Sequence, residues 1–307
     1  MKTRRLGRTG FEVTEISFGA RWLYPSRSPK EPATPERDEV GREVVRAALR
    51  AGINHIDTAP GYPHSERLLG EVLGGDTTAA TGPKIGSDPN EKTSRGQTPF
   101  SDPSPPATVI VSTKVWSADE KVIRERVKES QRLLRRRPLD LCMLHGLQFV
   151  AGHPVLKSLK AAGEVRFIGI SSGAGGVEDV KRLAAEGDFD FFQLACNILH
   201  PKMTAVFPLC RAAGIGVQIM SPMYRGVLSG HPELVTDLAD YGIRSLEEAA
   251  LRWLLDIDPA IVPIPGTSRP ERVAHLAAVS SLPSVPPDVW DRFQAMLTAV
   301  PAMQVEI

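Results

Sequence analysis

Eight short apolar runs punctuate the chain, each followed by turn or polar residues: Glu15–Gly19, Asn54–Thr58, Val109–Lys114, Asp140–His145, Arg166–Ser171, Phe191–Ala195, Gly216–Ser221 and Ile261–Ile264. Most are rich in Val, Ile, Phe or Leu without alternation, the pattern of strands buried on both faces. Between them, apolar residues recur three and four apart, which predicts helices. The longer ones cover Glu39–Ala51, Ala118–Leu134 and Ser245–Leu255. Shorter ones cover Ser65–Leu73, Pro154–Ala162, Val177–Ala185, Met203–Ala213 and Pro270–Val279, the last with Pro at a first helical position. Strands alternating with helices in this number predict a parallel (β/α)8 TIM barrel. Pro286–Ala299 reads as an extra C-terminal helix with an apolar stripe of Val289, Trp290, Phe293, Met296 and Leu297.

The rival architecture is a doubly wound sheet with a second domain. No G-x-G-x-x-G follows the first strand, and Gly74-Gly75 ends a helix rather than cradling a phosphate. No linker divides the chain, so residues 1–307 are expected to form one domain. Two segments exceed a minimal barrel. Residues 75–106 are poor in apolar residues and rich in Gly, Pro, Thr and Ser, a flexible insertion on the N-terminal side of the barrel. Arg21–Glu36, with prolines at 25, 29, 32 and 35, follows the first strand and so falls on the C-terminal face, where barrel active sites form.

Composition narrows the function classes. The 37 basic and 36 acidic residues nearly cancel, which argues against a nucleic-acid surface or a polybasic membrane anchor. No long uncharged apolar run predicts a membrane span, and the basic residues of Met1–Gly7 have no apolar stretch behind them, unlike a secretory signal. Cys142, Cys196 and Cys210 form no C-x-x-C pair and suggest neither a zinc site nor a disulfide framework. A reducing, cytoplasmic setting is expected. Neither a metal cluster nor a glycosidase-like acidic pair is evident, and the oligomeric state is left open.

Candidate chemistry gathers at the strand ends. The second strand ends near Asp57, the third at Lys114 and the fourth at His145, with Tyr62 in the loop just past Asp57. Each alone has a structural explanation: a turn cap, a snorkelling lysine, a core histidine, a loop aromatic. Together, on adjacent strands at one face, they make a site. Reducing a carbonyl requires a hydride donor and a proton donor for the developing alkoxide. A tyrosine hydroxyl, with a pKa of about 10, suits the second role if an ammonium lowers it, by an expected ~1–3 units. Lys114 supplies the ammonium, Asp57 orients it, and a neutral His145 positions the substrate oxygen. Hydride must come from a cofactor.

The surrounding sequence is specific. Residues 57–70, D-T-A-P-G-Y-P-H-S-E-R-L-L-G, resemble the D-T-A-x-x-Y-G-x-S-E-x-x-L-G signature of the aldo-keto reductase superfamily. L-G-R-T-G at 6–10 resembles that family's N-terminal β-hairpin. V-I-V-S-T-K at 109–114, D-L-C-M-L-H at 140–145 and G-E-V-R-F-I-G-I-S at 163–171 resemble its lysine strand, histidine strand and fifth strand. The resemblance runs from about residue 4 to about residue 280, in the family's order.

The resemblance implies a catalytic tetrad of Asp57, Tyr62, Lys114 and His145, and a nicotinamide cofactor bound by Gly19, Ser171, Ser172, Gln193, Met220, Ser221, Met223, Gly266, Thr267, Arg269 and Arg272. Ser172 stands where the family has Asn, and Met220 where it usually stacks an aromatic ring. His275-Leu276 replaces a Glu-Asn pair near the adenine. Arg269 and Arg272 favour NADP(H) over NAD(H), because guanidinium matches a 2′-phosphate bidentately. The loops after the fourth and seventh strands are short for the family, and Pro63 follows Tyr62 in place of Gly. A reshaped pocket is expected, with Arg21, Trp22, Tyr24, His64 and Phe149 as candidates to line it. The function implied is a carbonyl reductase or alcohol dehydrogenase acting on a small molecule. The alternative is an NADP(H)-binding sensing or regulatory protein with little turnover.

Overall fold

The computed structural model describes residues 1–24, 32–74, 108–228 and 231–300. The expected insertion at 75–106 lies outside these residues. A two-stranded antiparallel hairpin, β1 (Thr3–Arg5) and β2 (Glu12–Thr14), comes first. Eight parallel strands follow in sequential order: β3 (Phe18–Gly19), β4 (His55–Asp57), β5 (Ile110–Val115), β6 (Leu139–Leu144), β7 (Val165–Ser172), β8 (Phe191–Ala195), β9 (Gly216–Met220) and β10 (Ile261–Pro263).

Nine helices are described: α1 (Pro35–Arg50), α2 (Ser65–Leu73), α3 (Glu120–Leu134), α4 (His153–Ala161), α5 (Val177–Glu186), α6 (Phe207–Ala212), α7 (Leu246–Ile257), α8 (Pro270–Ala278) and α9 (Pro287–Ala299). The eight predicted strands therefore form, in the expected order, the (β/α)8 architecture, and α9 is the extra C-terminal helix.

The sheet closes on itself. Ser17 N–H donates to Pro263 O at 3.0 Å and Gly19 N–H to Pro265 O at 2.8 Å, joining β3 to the end of β10. The seam is tight enough to demand glycine: a Cβ on Gly19 would lie 2.9 Å from Ile264 O, and one on Gly266 only 2.5 Å from Gly19 O. Two apolar layers flank the strands. Inside, Leu6 and Val13 of the hairpin pack with Ile110, Leu141, Met143, Phe191 and Val262, so the hairpin plugs the barrel floor. Outside, Val111, Val115, Leu144 and Ile168 meet helix residues such as Val44, Ile123, Leu156 and Val180.

Alternation along β5 sorts its side chains: Ser112 and Lys114 turn inward while Thr113 turns to α2, where it bonds Glu66.

Two helix boundaries differ from the hydrophobic pattern by more than two residues. α1 starts at Pro35, four residues before the periodicity, because Thr34 caps it by accepting from Arg37 N–H and Pro35 sits at the first helical position. The helix expected over Met203–Ala213 splits into a 3-10 segment, Pro201–Val206, and α6. Pro208 has no N–H and its ring would clash with the Thr204 carbonyl, so α-helix begins only at Phe207. α9 packs through Trp290, Phe293 and Leu297, and the Trp290 indole N–H donates to Asp256 at 3.0 Å.

Candidate active site

At the C-terminal end of the barrel, β4 and β5 run side by side and present Asp57 and Lys114 to each other. Lys114 is fully buried. Its Nζ donates to Asp57 Oδ2 at 2.6 Å, to Asp57 Oδ1 at 2.8 Å and to Thr58 O at 2.8 Å. Burial opposes the charge on Lys114, but Asp57 and Tyr62 outweigh it and hold the ammonium above its usual range. Asp57 Oδ1 also accepts from Ser112 Oγ and from Gln193 Nε2, both at 2.8 Å.

Behind the ion pair a chain of polar groups crosses the barrel interior. Gln193 Nε2 donates to Gln218 Oε1 at 3.0 Å, and Gln218 Nε2 lies 3.2 Å from His55 Nε2. His55 Nδ1 lies 2.8 Å from Ser17 Oγ. Burial pushes the His55 pKa down to about 4, Asp57 opposing and Lys114 assisting, so the imidazole is neutral near neutrality.

Tyr62 sits on a turn that the rest of its motif holds in place. Ser65 Oγ bonds Thr58 Oγ1 at 2.7 Å and donates to Tyr62 O at 3.1 Å, and Glu66 accepts from Thr113 at 2.6 Å, tying α2 to β5. The Lys114 ammonium lies 5.0 Å from the Tyr62 ring centroid. The expected lowering of the Tyr62 pKa is not what results. Burial raises it, Lys114 pulls back through charge and hydrogen bonding, Asp57 pushes up again, and the net direction is upward. Enclosure at the barrel mouth costs the phenolate more than one already paired ammonium returns. Tyr62 is therefore a neutral O–H donor.

His145 follows β6. Its ring stands edge-on to Tyr62 at 6.3 Å and stacks on Trp116 at 4.6 Å. Burial, then Lys114, depress its pKa to about 3, so it is the neutral imidazole that the sequence predicts. Trp116 was not among the candidates. It is 50% exposed, and its ring lies so close over Gly61 that a Cβ there would fall 1.7 Å from an indole carbon. The signal available was an aromatic residue two positions past Lys114, on the same face of an extended strand.

A cleft of about 650 Å³ opens above these groups. Asp57, Tyr62 and His145 line it, together with Gly19, Met220, Ser221, Met223, Gly266, Thr267, Arg269, Arg272 and Trp22. Those positions lie on or just past β3, β4, β6 and β9, in the β10–α8 turn and in the first turn of α8, and the structure gathers them in one groove.

Other candidates lie elsewhere. Ser171, Ser172 and Gln193 are buried and do not line the cleft. Ser171 faces the Met220 sulfur at 3.9 Å, Ser172 donates to Gly173 O at 3.0 Å, and Gln193 has spent its amide N–H groups on Asp57 and Gln218. Of the expected substrate contacts, Tyr24, His64 and Phe149 do not line it either. Tyr24 is buried, packs 4.6 Å from the His64 ring, and uses its hydroxyl to bond Pro32 O and Thr34 N–H at 3.0 Å each. Phe149 packs on the outer core.

The groove suits a dinucleotide. Apolar Met220, Pro222 and Ile264 border it, the glycine seam brings bare backbone close, and the α8 N-terminus opens onto it beside Arg269. Arg272 is held by Glu247 at 2.9 Å, and no carboxylate among the described residues pairs with Arg269. Among the described residues no helix is long and apolar enough to cross a membrane.

The sequence profile of the Aldo/keto reductase family matches residues 26–298, and the chain belongs to that family. It is an oxidoreductase of a class that works with a nicotinamide cofactor. Among curated relatives, it is 28% identical to the L-galactose dehydrogenase of Arabidopsis thaliana over 76% of this chain and 69% of that protein. It is 29% identical to the NADH-specific methylglyoxal reductase of Escherichia coli over 75% of this chain and 70% of that one. Among solved structures, the fold is similar to that of an aldo-keto reductase from Bacillus halodurans in its holo form. That similarity has TM-score 0.73 at 22% identity and covers 96% of each chain.

Proposed function

We propose that this protein reduces an aldehyde or ketone to an alcohol, or runs the reverse oxidation, with NADP(H) preferred over NAD(H) and Tyr62 as the proton donor. The observation that carries this reading is that Tyr62, His145 and Asp57 line one cleft, with Asp57 paired there to the buried Lys114. Gly19, Met220, Ser221, Met223, Gly266 and Thr267 would hold the cofactor along it, and Arg269 and Arg272 its 2′-phosphate. When bound, the nicotinamide supplies hydride to the substrate carbonyl carbon.

The residues of the chain manage the oxygen. A neutral His145 donates a hydrogen bond that fixes the carbonyl. Tyr62 Oη gives up its proton as negative charge develops there, and Lys114 stabilises the phenolate that remains. Asp57 and Thr58 O keep the ammonium charged and in place. Trp116, stacked on His145, covers one side of the imidazole. In the oxidative direction the same tyrosine takes the proton back.

The test follows coenzyme absorbance at 340 nm with a panel of short aldehydes and ketones, offering NADPH and NADH separately. Oxidation of NADPH with kcat/KM at least about tenfold above that for NADH is expected. No oxidation of either coenzyme with any carbonyl would overturn the reading. A sensing protein with little turnover is the second reading, and the inward commitment of Gln193 favours it, since that amide is not presented to a nicotinamide. Single-turnover oxidation of bound NADPH without a steady state would identify it.

A further inference from the structure

We infer that Arg21 anchors a carboxylate on the substrate, so that the carbonyl compounds this site prefers are short oxo acids. The inference rests on the carbonyl-reduction reading above and names its substrate class. Arg21 lies two residues past β3 and lines the cleft. Its guanidinium carbon is 5.6 Å from the ring centroid of Tyr62 and 4.9 Å from that of Trp22. The cation is thus held by two aromatic faces at the reacting end of the groove.

Its Nη1 is enclosed and has no hydrogen-bond partner. A shielded guanidinium nitrogen without an acceptor is costly. The cleft offers no internal remedy. Its two carboxylates are already committed, Asp57 to Lys114 and Glu247 to Arg272, and no ion pair among the described residues includes Arg21. A ligand oxygen in the cleft that Arg21 lines would complete the site, once the guanidinium turns its enclosed Nη1 toward it. A carboxylate does so best, because its two oxygens match the guanidinium fork.

The phosphates of the cofactor are the rival occupant. Two features favour the substrate. Arg21 packs against the ring of the proton donor, and Arg269 and Arg272 supply cations where β10 leads into α8. A carboxylate held by Arg21 with its carbonyl at Tyr62 must be separated from that carbonyl by only a few bonds. Neutral analogues leave the guanidinium unpaired and are penalised for it.

The experiment measures kcat/KM with the preferred coenzyme for 2-oxobutanoate and 4-oxobutanoate and for their methyl esters. It uses the wild-type protein and the variants Arg21→Ala, Arg21→Lys and Arg21→Gln. For the wild type, at least one acid should exceed its ester by about tenfold or more. That ratio should fall toward one in Arg21→Ala and Arg21→Gln and be partly kept in Arg21→Lys. A wild-type ratio of one or less overturns the inference without needing any variant. An unchanged ratio in Arg21→Ala with weakened NADPH binding also overturns it and assigns Arg21 to the cofactor phosphates. Esters reduced with no preference for acids sink this inference and leave carbonyl reduction standing. If acids, esters and simple aldehydes all fail to oxidise the coenzyme, the proposed function falls and this inference with it.

Discussion

Lys114 Nζ lies 2.6 Å from Asp57 Oδ2, with the lysine side chain wholly enclosed and the aspartate 3% exposed. Such a pair is held together by mutual need more than by net stabilisation. Removing one partner strands a buried charge, at about 3–5 kcal/mol. Lys114→Met and Asp57→Asn should each lose roughly that much in urea denaturation and lose turnover as well. The double variant Lys114→Met/Asp57→Asn should be more stable than the sum of the single losses predicts, yet remain inactive. Additive losses would show that the pair is not coupled.

Gln193 bonds the same aspartate oxygen as Lys114 and Ser112. Gln193→Leu leaves Asp57 and Gln218 each short of a partner, which costs about 1–3 kcal/mol. Its kcat should fall by more than its coenzyme Kd rises. A large rise in Kd with kcat unchanged would mean that Gln193 turns to the nicotinamide when the cofactor binds. Equilibrium fluorescence titration with NADPH, beside steady-state rates, separates the two.

Acid should weaken the fold in a definite window. His55 is depressed to about 4 when folded and returns to about 6.5 when unfolded. Between those values the unfolded chain binds the extra proton, so stability rises with pH from about 4 to about 6.5 and is level above. The buried imidazole accounts for roughly 3 kcal/mol of that slope. His145, depressed to about 3, adds its own slope over the same window and extends it down to about pH 3. Denaturation free energies at pH 7.5, 6 and 5 should decline in that order, and His55→Asn should flatten the decline. Equal stabilities at all three would contradict the depressed histidines.

In the proposed cofactor placement Arg269 is the freer of the two arginines assigned to the 2′-phosphate, since Arg272 is engaged by Glu247. Arg269→Ala should weaken NADPH binding about tenfold or more and leave NADH little changed. Isothermal titration with each coenzyme decides the point. Equal weakening of both would move Arg269 from the 2′-phosphate to the shared pyrophosphate.

Much of this architecture is legible in the sequence. Strands buried on both faces are mostly apolar without alternation, so β5, β6 and β8 stand out, and their polar residues mark the face that carries the candidate site. The rest depends on local caps and helix breakers outside the hydrophobic period, or on relations between distant residues. The start of α1 was set by the Thr34 cap and the break before α6 by Pro208, and neither alters the hydrophobic period. The raised Tyr62 pKa follows from enclosure, which no spacing reveals. Gln193 reads as a cofactor residue by motif, but Gln218 and Asp57, brought beside it by the barrel, take both its donors. Tyr24 looks like a loop aromatic free to meet substrate, whereas its hydroxyl pins the loop backbone at Pro32 and Thr34. Trp116 carries no such mark, because a lone exposed tryptophan has no period.

The proton donor is the centre of the account, and Tyr62→Phe tests it with the least disturbance, since it deletes one oxygen. Stopped-flow single-turnover oxidation of bound NADPH by a carbonyl substrate should slow by about 10²–10⁴-fold in this variant, with the coenzyme Kd unchanged. Oxidation at the wild-type rate would contradict the assignment of Tyr62 as the acid.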